Sequence, residues 1–181
     1  ALPGSTHGYD GIDPACINPE LGGEEAFRQL ATATRAHGMG LILDIVPNHL
    51  AASPHSHWWN DVLMHGRRSP HAAWFDIDWE APGCEGRLWL PALDRPLHDA
   101  VRDGVVRVVV DNARPVLRHH GLALPLSPRS HPLDSAQWPA WAERCNRSVE
   151  RLHTLLQRQH YRLAWWRTAG DQVNYRRFFD I

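Results

Sequence analysis

The run LILDIV, residues 41–46, constrains the fold of this chain more than any other stretch. Apolar side chains occupy both alternating faces of the extended segment, so both faces need to be covered. Strands of this type are typical of parallel sheets with helices packed on each side. The run therefore predicts a buried parallel strand.

A helix is predicted immediately before this strand, over residues 22–37. Its apolar stripe recurs at helical spacing, acidic residues stand in its first turn, and Gly38 follows its last turn. The stripe consists of Phe27, Leu30, Ala31 and Thr34. A loop, a helix and a strand in this order form half of a βαβ crossover, which indicates the α/β class.

Three polar residues interrupt or end the predicted strand. Asp44 lies within it, and a buried carboxylate needs an arginine or a hydrogen-bonded network as its partner. Asn48 and His49 follow its carboxyl end, which is the edge where α/β barrels form their active sites. Asp44 is consistent both with a role in such a site and with the clamping of a nearby loop.

A second polar cluster stands in the segment STHGYD, where His7 and Asp10 flank Tyr9. Gly8 allows the backbone to approach a ligand closely. An aromatic face with polar groups at its rim suits a pyranose, which stacks on the ring and forms hydrogen bonds around it. The first twenty residues are rich in glycine, proline and asparagine and are predicted to form an ordered loop.

The remainder of the chain carries mixed patterns. FDIDWE, residues 75–80, alternates strictly and predicts a strand with three carboxylates on one face, which suits a cation, sugar hydroxyls or solvent. RLWLPAL and VVRVVV predict two further strands, so 75–110 is expected to be antiparallel. Residues 111–139 are predicted to be a long loop, and 140–159 a single helix with a core-facing stripe.

Composition excludes several functional classes. The formal net charge of −1 and the scattered arginines argue against a nucleic-acid partner, and no apolar run reaches the ~20 residues that span a bilayer. Three widely spaced cysteines favour a reducing, cytoplasmic setting. The histidines, including His55, His57, His119 and His120, show no ligand spacing with carboxylates, so no metal site is predicted.

The pair HGYD and LILDIVPNH resembles the α-amylase family of glycoside hydrolases. This resemblance implies a fragment of a (β/α)8 TIM barrel around the third strand, with an inserted small α+β subdomain. Residues 1–50 would form the partial barrel, 51–159 the insertion with antiparallel strands, a long loop and a helix, and 160–181 the return toward the fourth strand. The resemblance is weakest over 107–148.

The family resemblance also implies roles for individual residues. Tyr9 would stack under the sugar at the cleavage point, with His7 and Asp10 beside it, and His49 would donate to the same sugar. The residues expected to support the site are Asp44, Asn48 and Asp180. No cofactor is implied; in many amylases the asparagine matching Asn48 ligates a structural calcium, but the other ligands of such a cage are not found in this sequence.

The catalytic groups are expected elsewhere in the protein. In this family the nucleophile and the acid/base lie on later barrel strands, which places them after Ile181, and the first two strands would precede Ala1. This chain alone is therefore expected to be inactive.

The blocks STHGYDGIDPACINPELGGEEAFRQL, WFDIDWE and LLQRQHYRLAWWRTAGDQVNYRRFFDI resemble one branch of the family. Its members convert maltooligosaccharides by intramolecular transglucosylation into products with a trehalose-type end. An α-glucan hydrolase and a noncatalytic carbohydrate-binding fragment are the alternatives. Trp58 and Trp59, in a Trp- and His-rich insertion, are predicted to help form a lid that excludes water.

Overall fold

The structure, a computed structural model, describes residues 1–46 and 50–176. Its helices are α1 (Gly23–Ala36), α2 (His57–His65), α3 (Leu97–Arg102), α4 (Trp138–Asn146) and α5 (Val149–Gln157). Its strands are β1 (Leu88–Leu93), β2 (Val106–Asp111), β3 (Arg114–His119), β4 (Leu122–Pro125) and β5 (Tyr161–Trp165). Short 3₁₀ turns occur in several of the connections. No helix among the described residues is both long and apolar enough to cross a membrane.

The strands form two separate sheets. β1 pairs with β5 in parallel, in a register that places Leu88 opposite Tyr161 and Leu90 opposite Leu163. β2, β3 and β4 form an antiparallel sheet in chain order. The predicted antiparallel arrangement of 75–110 is therefore wrong for β1, whose partner lies about seventy residues downstream and could not be identified from local alternation.

One apolar core joins both sheets to the four helices α2, α3, α4 and α5. Trp59 of α2 packs against Phe75 and Tyr175, with ring centroids 5.0 and 4.9 Å away. α5 contributes Leu152, Leu155 and Leu156, and the strands add a further buried set. That set is Leu88, Leu90, Leu93, Val106, Val108, Leu117, Leu124, Tyr161 and Leu163.

Two side-chain amides bind strand edges that pair with no other strand of the described residues. Asn174 accepts from Trp89 N of β1 at 3.0 Å and donates to the carbonyl oxygen of Arg87, the residue before β1, at 3.1 Å. Asn146, at the end of α4, accepts from Val108 N and donates to Val108 O, both at 2.8 Å, on β2. Each amide therefore provides the donor and the acceptor that a neighbouring strand would offer.

The predicted helix before residue 38 is confirmed, but the predicted strand at 41–46 is wrong in this structure. α1 carries Glu24 and Glu25 in its first turn, as expected, and none of its residues is buried. Residues 41–46 form no strand among the described residues, and Ile42 is 98% exposed. A strand apolar on both faces needs sheet partners and covering helices, and no described strand pairs with this segment.

The predicted strand at 75–80 is reduced to one antiparallel bridge, between Ile77 and Tyr175. The predicted alternation of burial is nevertheless present, because Phe75 is buried, Ile77 and Trp79 are half-buried, and the three carboxylates are exposed. Asp76 has a left-handed φ of 45°, which is incompatible with a continuous strand. The period-2 pattern therefore predicted correctly which side chains are buried, although the segment does not form a continuous strand.

Two further predictions are wrong. The predicted long loop over 111–139 contains β3 and β4. These strands were missed because the segment is rich in proline and histidine, which is more typical of loops. The predicted single helix over 140–159 is two helices, because Ser148 is the N-cap of α5 and accepts from Arg151 N at 3.2 Å. An N-capping serine within an apolar stripe is a signal for a new helix start that the sequence analysis missed.

Candidate functional site

The candidate site is built on the N-terminal loop, which internal hydrogen bonds hold in shape. Leu2 N donates to Asp10 O at 3.0 Å, so the loop closes on itself. Gly4 N donates to both carboxylate oxygens of Glu20 at 3.1 Å, and Ser5 Oγ accepts from Gly8 N at 3.1 Å. Ser5 and Glu20 are supporting residues that the sequence analysis missed, because only the folded loop brings them to their partners.

Tyr9 and Asp44 connect the two sequence motifs directly. The Tyr9 hydroxyl donates to Asp44 Oδ2 at 2.5 Å, although the residues lie 35 positions apart in the chain. This hydrogen bond and the negative charge of Asp44 raise the pKa of the Tyr9 phenol above its ordinary value, so the hydroxyl remains a donor. Asp44 was predicted to be buried and is exposed, yet it has the hydrogen-bonding partner that its position required.

His7 lies alongside the Tyr9 ring. The ring centroids are 6.0 Å apart and the ring planes differ by 19°, so the two faces are nearly parallel. His7 Nδ1 accepts from Tyr9 N at 3.1 Å, and this contact fixes the imidazole relative to the phenol. Tyr9 is 39% exposed, so the pair lies at the surface of the described residues.

Asp10 is turned back toward its own loop. Its carboxylate is 16% exposed, lies 4.0 Å from His7 Nε2 and accepts from Leu2 N at 3.4 Å. Partial burial raises the pKa of Asp10, but hydrogen bonds from Ser5 and from the loop backbone outweigh it, so the net pKa is lowered. An ionised Asp10 therefore holds the loop, while its predicted contact with substrate stays a prediction.

Three predicted site residues, Asn48, His49 and Asp180, lie outside the described residues. The chain that follows His49 is nevertheless fixed near the loop, because Ala51 N donates to Gly11 O at 2.7 Å. Ala51 is buried. The chain on both sides of the undescribed segment 47–49 thus contacts the N-terminal loop, through the side chain of Asp44 on one side and the backbone of Ala51 on the other.

The tryptophans of the insertion divide into two groups. Trp59 is 1% exposed and belongs to the core, so its predicted role in a lid is wrong. Trp58 instead packs edge-on against Trp74 with centroids 4.8 Å apart, and Trp74 is 47% exposed. His71 contacts both of these rings. Trp58, His71 and Trp74 therefore form an aromatic cluster that is partly exposed on the insertion.

A second polar cluster lies where β1 ends and β3 turns into β4. Asp94, His119 and His120 place one ligand atom each within 4.8 Å of one another. The sequence analysis found no ligand spacing around these histidines because the carboxylate lies 26 residues before His120. Only the meeting of the two sheets brings the three side chains together.

The helices and the parallel pairing of β1 with β5 agree with the predicted α/β class. Comparison with known families gives the same class: the chain belongs to the family described as Alpha amylase, catalytic domain, which matches residues 1–96.

The relatives narrow this likeness to one kind of enzyme. The chain is 42% identical over 183 aligned residues, its full length, to a Mycobacterium tuberculosis protein named as a maltooligosyl trehalose synthase. That alignment covers 20% of the relative, so the chain spans about a fifth of the relative's length.

Solved structures agree with the sequence relatives. A crystal structure of a maltooligosyl trehalose synthase matches the whole chain with a TM-score of 0.78 at 34% identity, over 22% of its own length. The Arthrobacter ramosus maltooligosyltrehalose synthase matches with a TM-score of 0.75 at 34% identity, over 21% of its length. These matches confirm the predicted fold class, an α/β part of a TIM-barrel enzyme.

Proposed function

We propose that this chain supplies part of the substrate pocket of an enzyme that converts maltooligosaccharides into products with a trehalose-type end. The observation that carries the proposal is the hydrogen bond from Tyr9 to Asp44, which joins the two motifs shared with the α-amylase family. The full-length likeness to maltooligosyl trehalose synthases supports this branch of the family.

In the proposed reaction, an aspartate attacks the anomeric carbon that is linked to the reducing-end glucose. The glycosidic bond breaks, that glucose accepts a proton from the acid/base carboxyl, and a covalent glycosyl-enzyme forms. The released glucose turns in place, and its own anomeric hydroxyl attacks the glycosyl-enzyme while the same carboxylate takes the proton. The two carboxylates come from segments of the enzyme other than these 181 residues.

Each residue of the candidate site has a role in this proposal. Tyr9 stacks under the sugar at the cleavage point. Asp44 accepts a hydrogen bond from the Tyr9 hydroxyl and so holds the phenol ring in position. His7 and His49 contact the hydroxyls of the same sugar. Asp10 lies beside the same sugar, and Asn48 and Asp180 support the site.

Retention of the released glucose requires that water be excluded from the glycosyl-enzyme. We assign this part to the cluster of Trp58, His71 and Trp74, which presents aromatic surface from the insertion. We further propose that residues 51–159 form that inserted subdomain and that the protein acts in the cytoplasm. The three unpaired cysteines, two of them buried, are consistent with a reducing compartment.

A double-mutant cycle on the protein at its full natural length tests the role of the Tyr9–Asp44 contact. The variants are Tyr9→Phe, Asp44→Ala and their combination, with kcat/KM for maltopentaose as the readout. We expect each single change to lower kcat/KM by about threefold to tenfold, the size expected for one hydrogen bond on an open surface. The combined variant should be no worse than the poorer single variant.

Tyr9→Ala distinguishes stacking from hydrogen bonding, because it removes the ring as well as the hydroxyl. It should lose more activity than Tyr9→Phe, mainly through a higher KM. If the losses of kcat/KM in the two single variants multiply in the combined variant, the Tyr9–Asp44 contact does not act as a unit. Equal losses of kcat/KM for Tyr9→Phe and Tyr9→Ala would show that the ring does not bind the sugar.

A further inference from the structure

We propose that Asp94, His119 and His120 form a Zn²⁺ site that joins the two sheets. Asp94 follows β1 in the parallel sheet, whereas His119 ends β3 and His120 begins the turn into β4 of the antiparallel sheet. Two imidazole nitrogens and one carboxylate oxygen suit Zn²⁺, and solvent can supply a fourth ligand.

The distances between the three groups approach those of a metal site. His119 Nε2 lies 3.7 Å from Asp94 Oδ1, and His120 Nε2 lies 3.4 Å from Asp94 Oδ2. Ligands about 2.0–2.2 Å from a tetrahedral Zn²⁺ lie roughly 3.3–3.5 Å from each other. The three ligand atoms all lie within 4.8 Å of one another, so closing the site requires the two imidazoles to move toward a shared carboxylate oxygen.

The buried histidine is oriented as metal-bound histidines usually are. His119 is 5% exposed, and its Nδ1 lies 3.4 Å from the carbonyl oxygen of Val105. The carbonyl can only accept, so Nδ1 donates in this contact, and a neutral His119 would present the lone pair of Nε2 toward Asp94. A backbone carbonyl on the second ring nitrogen is the common device that fixes a ligating imidazole.

Access and local geometry also fit a binding site. The side chains of Asp94 and His120 are 43% and 58% exposed, so an ion can enter from solvent and keep a bound water. His120 has a left-handed φ of 50°, an uncommon conformation for a residue other than glycine. That conformation places its ring beside His119, with centroids 4.2 Å apart.

Arg95 competes with a metal for the same carboxylate. Its guanidinium donates to Asp94 Oδ1 at 3.1 Å and to Oδ2 at 3.0 Å. It also donates to Asp103 Oδ2 at 3.2 Å, so it retains an anionic partner when a cation binds Asp94. Zn²⁺ binding therefore requires Arg95 to give up part of its contact with Asp94 while it keeps its contact with Asp103.

The test uses the protein at its full natural length, free of a histidine tag. Binding is measured by competition with a chromogenic chelator for Zn²⁺ and by the visible absorption of Co²⁺ as a spectroscopic substitute. We expect one strong Zn²⁺ site per chain. Asp94→Asn and His120→Gly should each weaken binding by at least about 100-fold, since each removes or neutralises a ligand.

His120→Gly is the most informative variant, because glycine accepts the left-handed backbone and should leave folding intact. The matched control is the double change His98→Ala and His153→Ala. This pair of rings stacks at 5.9 Å between α3 and α5, outside the proposed site. Its removal should leave Zn²⁺ affinity unchanged.

Arg95→Gln provides a test in the opposite direction, since it removes the competitor without touching a ligand. Zn²⁺ should then bind several-fold more tightly. The proposal is overturned if Zn²⁺ binds equally well to the wild type and to His120→Gly, or if removal of the His98 and His153 rings abolishes the Co²⁺ absorption. Weaker binding by Arg95→Gln would also contradict it.

Discussion

Gly66, at the C-terminal end of α2, occupies a position that no other residue can take without strain. Its φ is 58°, and a β-carbon built there would lie 2.8 Å from His160 Nδ1 and 2.9 Å from Cγ. The ring of His160 therefore packs directly on the glycine. This contact joins the end of α2 to the residue that precedes β5.

We predict that Gly66→Ala lowers the free energy of unfolding by about 2 kcal/mol or more, through left-handed strain and overpacking. Urea denaturation of the protein at its full natural length measures the change. Gly104→Ala is the control, because Gly104 has a φ of 67° and nothing within 4 Å of an added β-carbon. An equal loss in both variants would show that His160 plays no part.

The partnership of Asp44 shows what a sequence can reveal about a single residue. An acid in an apolar run predicted a hydrogen-bonding partner, and Tyr9 is that partner. The identity of the partner and the exposure of the carboxylate could not be predicted, because both depend on how the loop folds back. Trp59 illustrates the reverse case, since tryptophan content suits a core as well as a sugar site and the structure places it in the core.

At the scale of elements, the side chain of Asn174 acts as a short substitute for a strand. It accepts from Trp89 N and donates to Arg87 O, and its amide also donates to Asp78 O at 2.9 Å. Asn174 is 6% exposed, so these partners are removed from water. The amide joins β1 to the segment that contains the bridge between Ile77 and Tyr175.

Asn174→Ala should destabilise the protein by about 2–3 kcal/mol, because it leaves buried backbone groups without partners. Asn174→Asp should be at least as damaging, since a carboxylate would face two carbonyl oxygens. Thermal and urea unfolding both report the effect. Asn18, whose side chain caps an exposed 3₁₀ turn, is the matched control, and Asn18→Ala should cost less. Equal losses would contradict this account of the strand edge.

Elements were predictable where one local pattern dominated. α1, β1 and β2 follow from helical spacing and apolar runs. β3 was missed because Pro115 and the paired histidines resemble a loop, although proline is tolerated near the start of a strand, before its pairing with β4 begins. The last predicted helix is two helices because Ser148 caps the second one through a hydrogen bond from Arg151 N. This local signal was missed because the apolar stripe continues across it.

At the scale of the whole molecule, residues 41–46 present apolar surface that a stable protein normally covers. Ile42, Leu43 and Ile45 are 98%, 66% and 70% exposed. The chain spans about a fifth of its curated relatives' length. We therefore expect the protein at its full natural length to bury this run, as its two-faced apolar pattern predicts.

Ile42→Asp tests this expectation, because a charge is tolerated on a surface and not inside a sheet. In the protein at its full natural length it should lower stability by about 3 kcal/mol or more, seen as a lower thermal unfolding midpoint. Leu133→Asp is the control, since Leu133 is 94% exposed and lies in no apolar run. Equal, small effects of both changes would contradict burial of 41–46.

The fold class and the family motifs were readable from the sequence, whereas the joining of distant parts was not. HGYD and LILD are local patterns, and their meeting through Tyr9 and Asp44 fits the resemblance that they carry. The parallel pairing of β1 with β5 and the cluster around Asp94 involve partners far apart in the chain. No local period or spacing encodes such contacts, which arise from packing of the core.

The concentration of reducing ends during incubation with maltopentaose tests the central claim most directly, because its sign identifies the reaction. The proposed transglucosylation converts each reducing end into a trehalose-type end, so reducing ends should fall while the degree of polymerisation stays at five. Hydrolysis adds one reducing end for each bond cleaved. A rise in reducing ends, or no change in the presence of bound maltopentaose, would contradict the account.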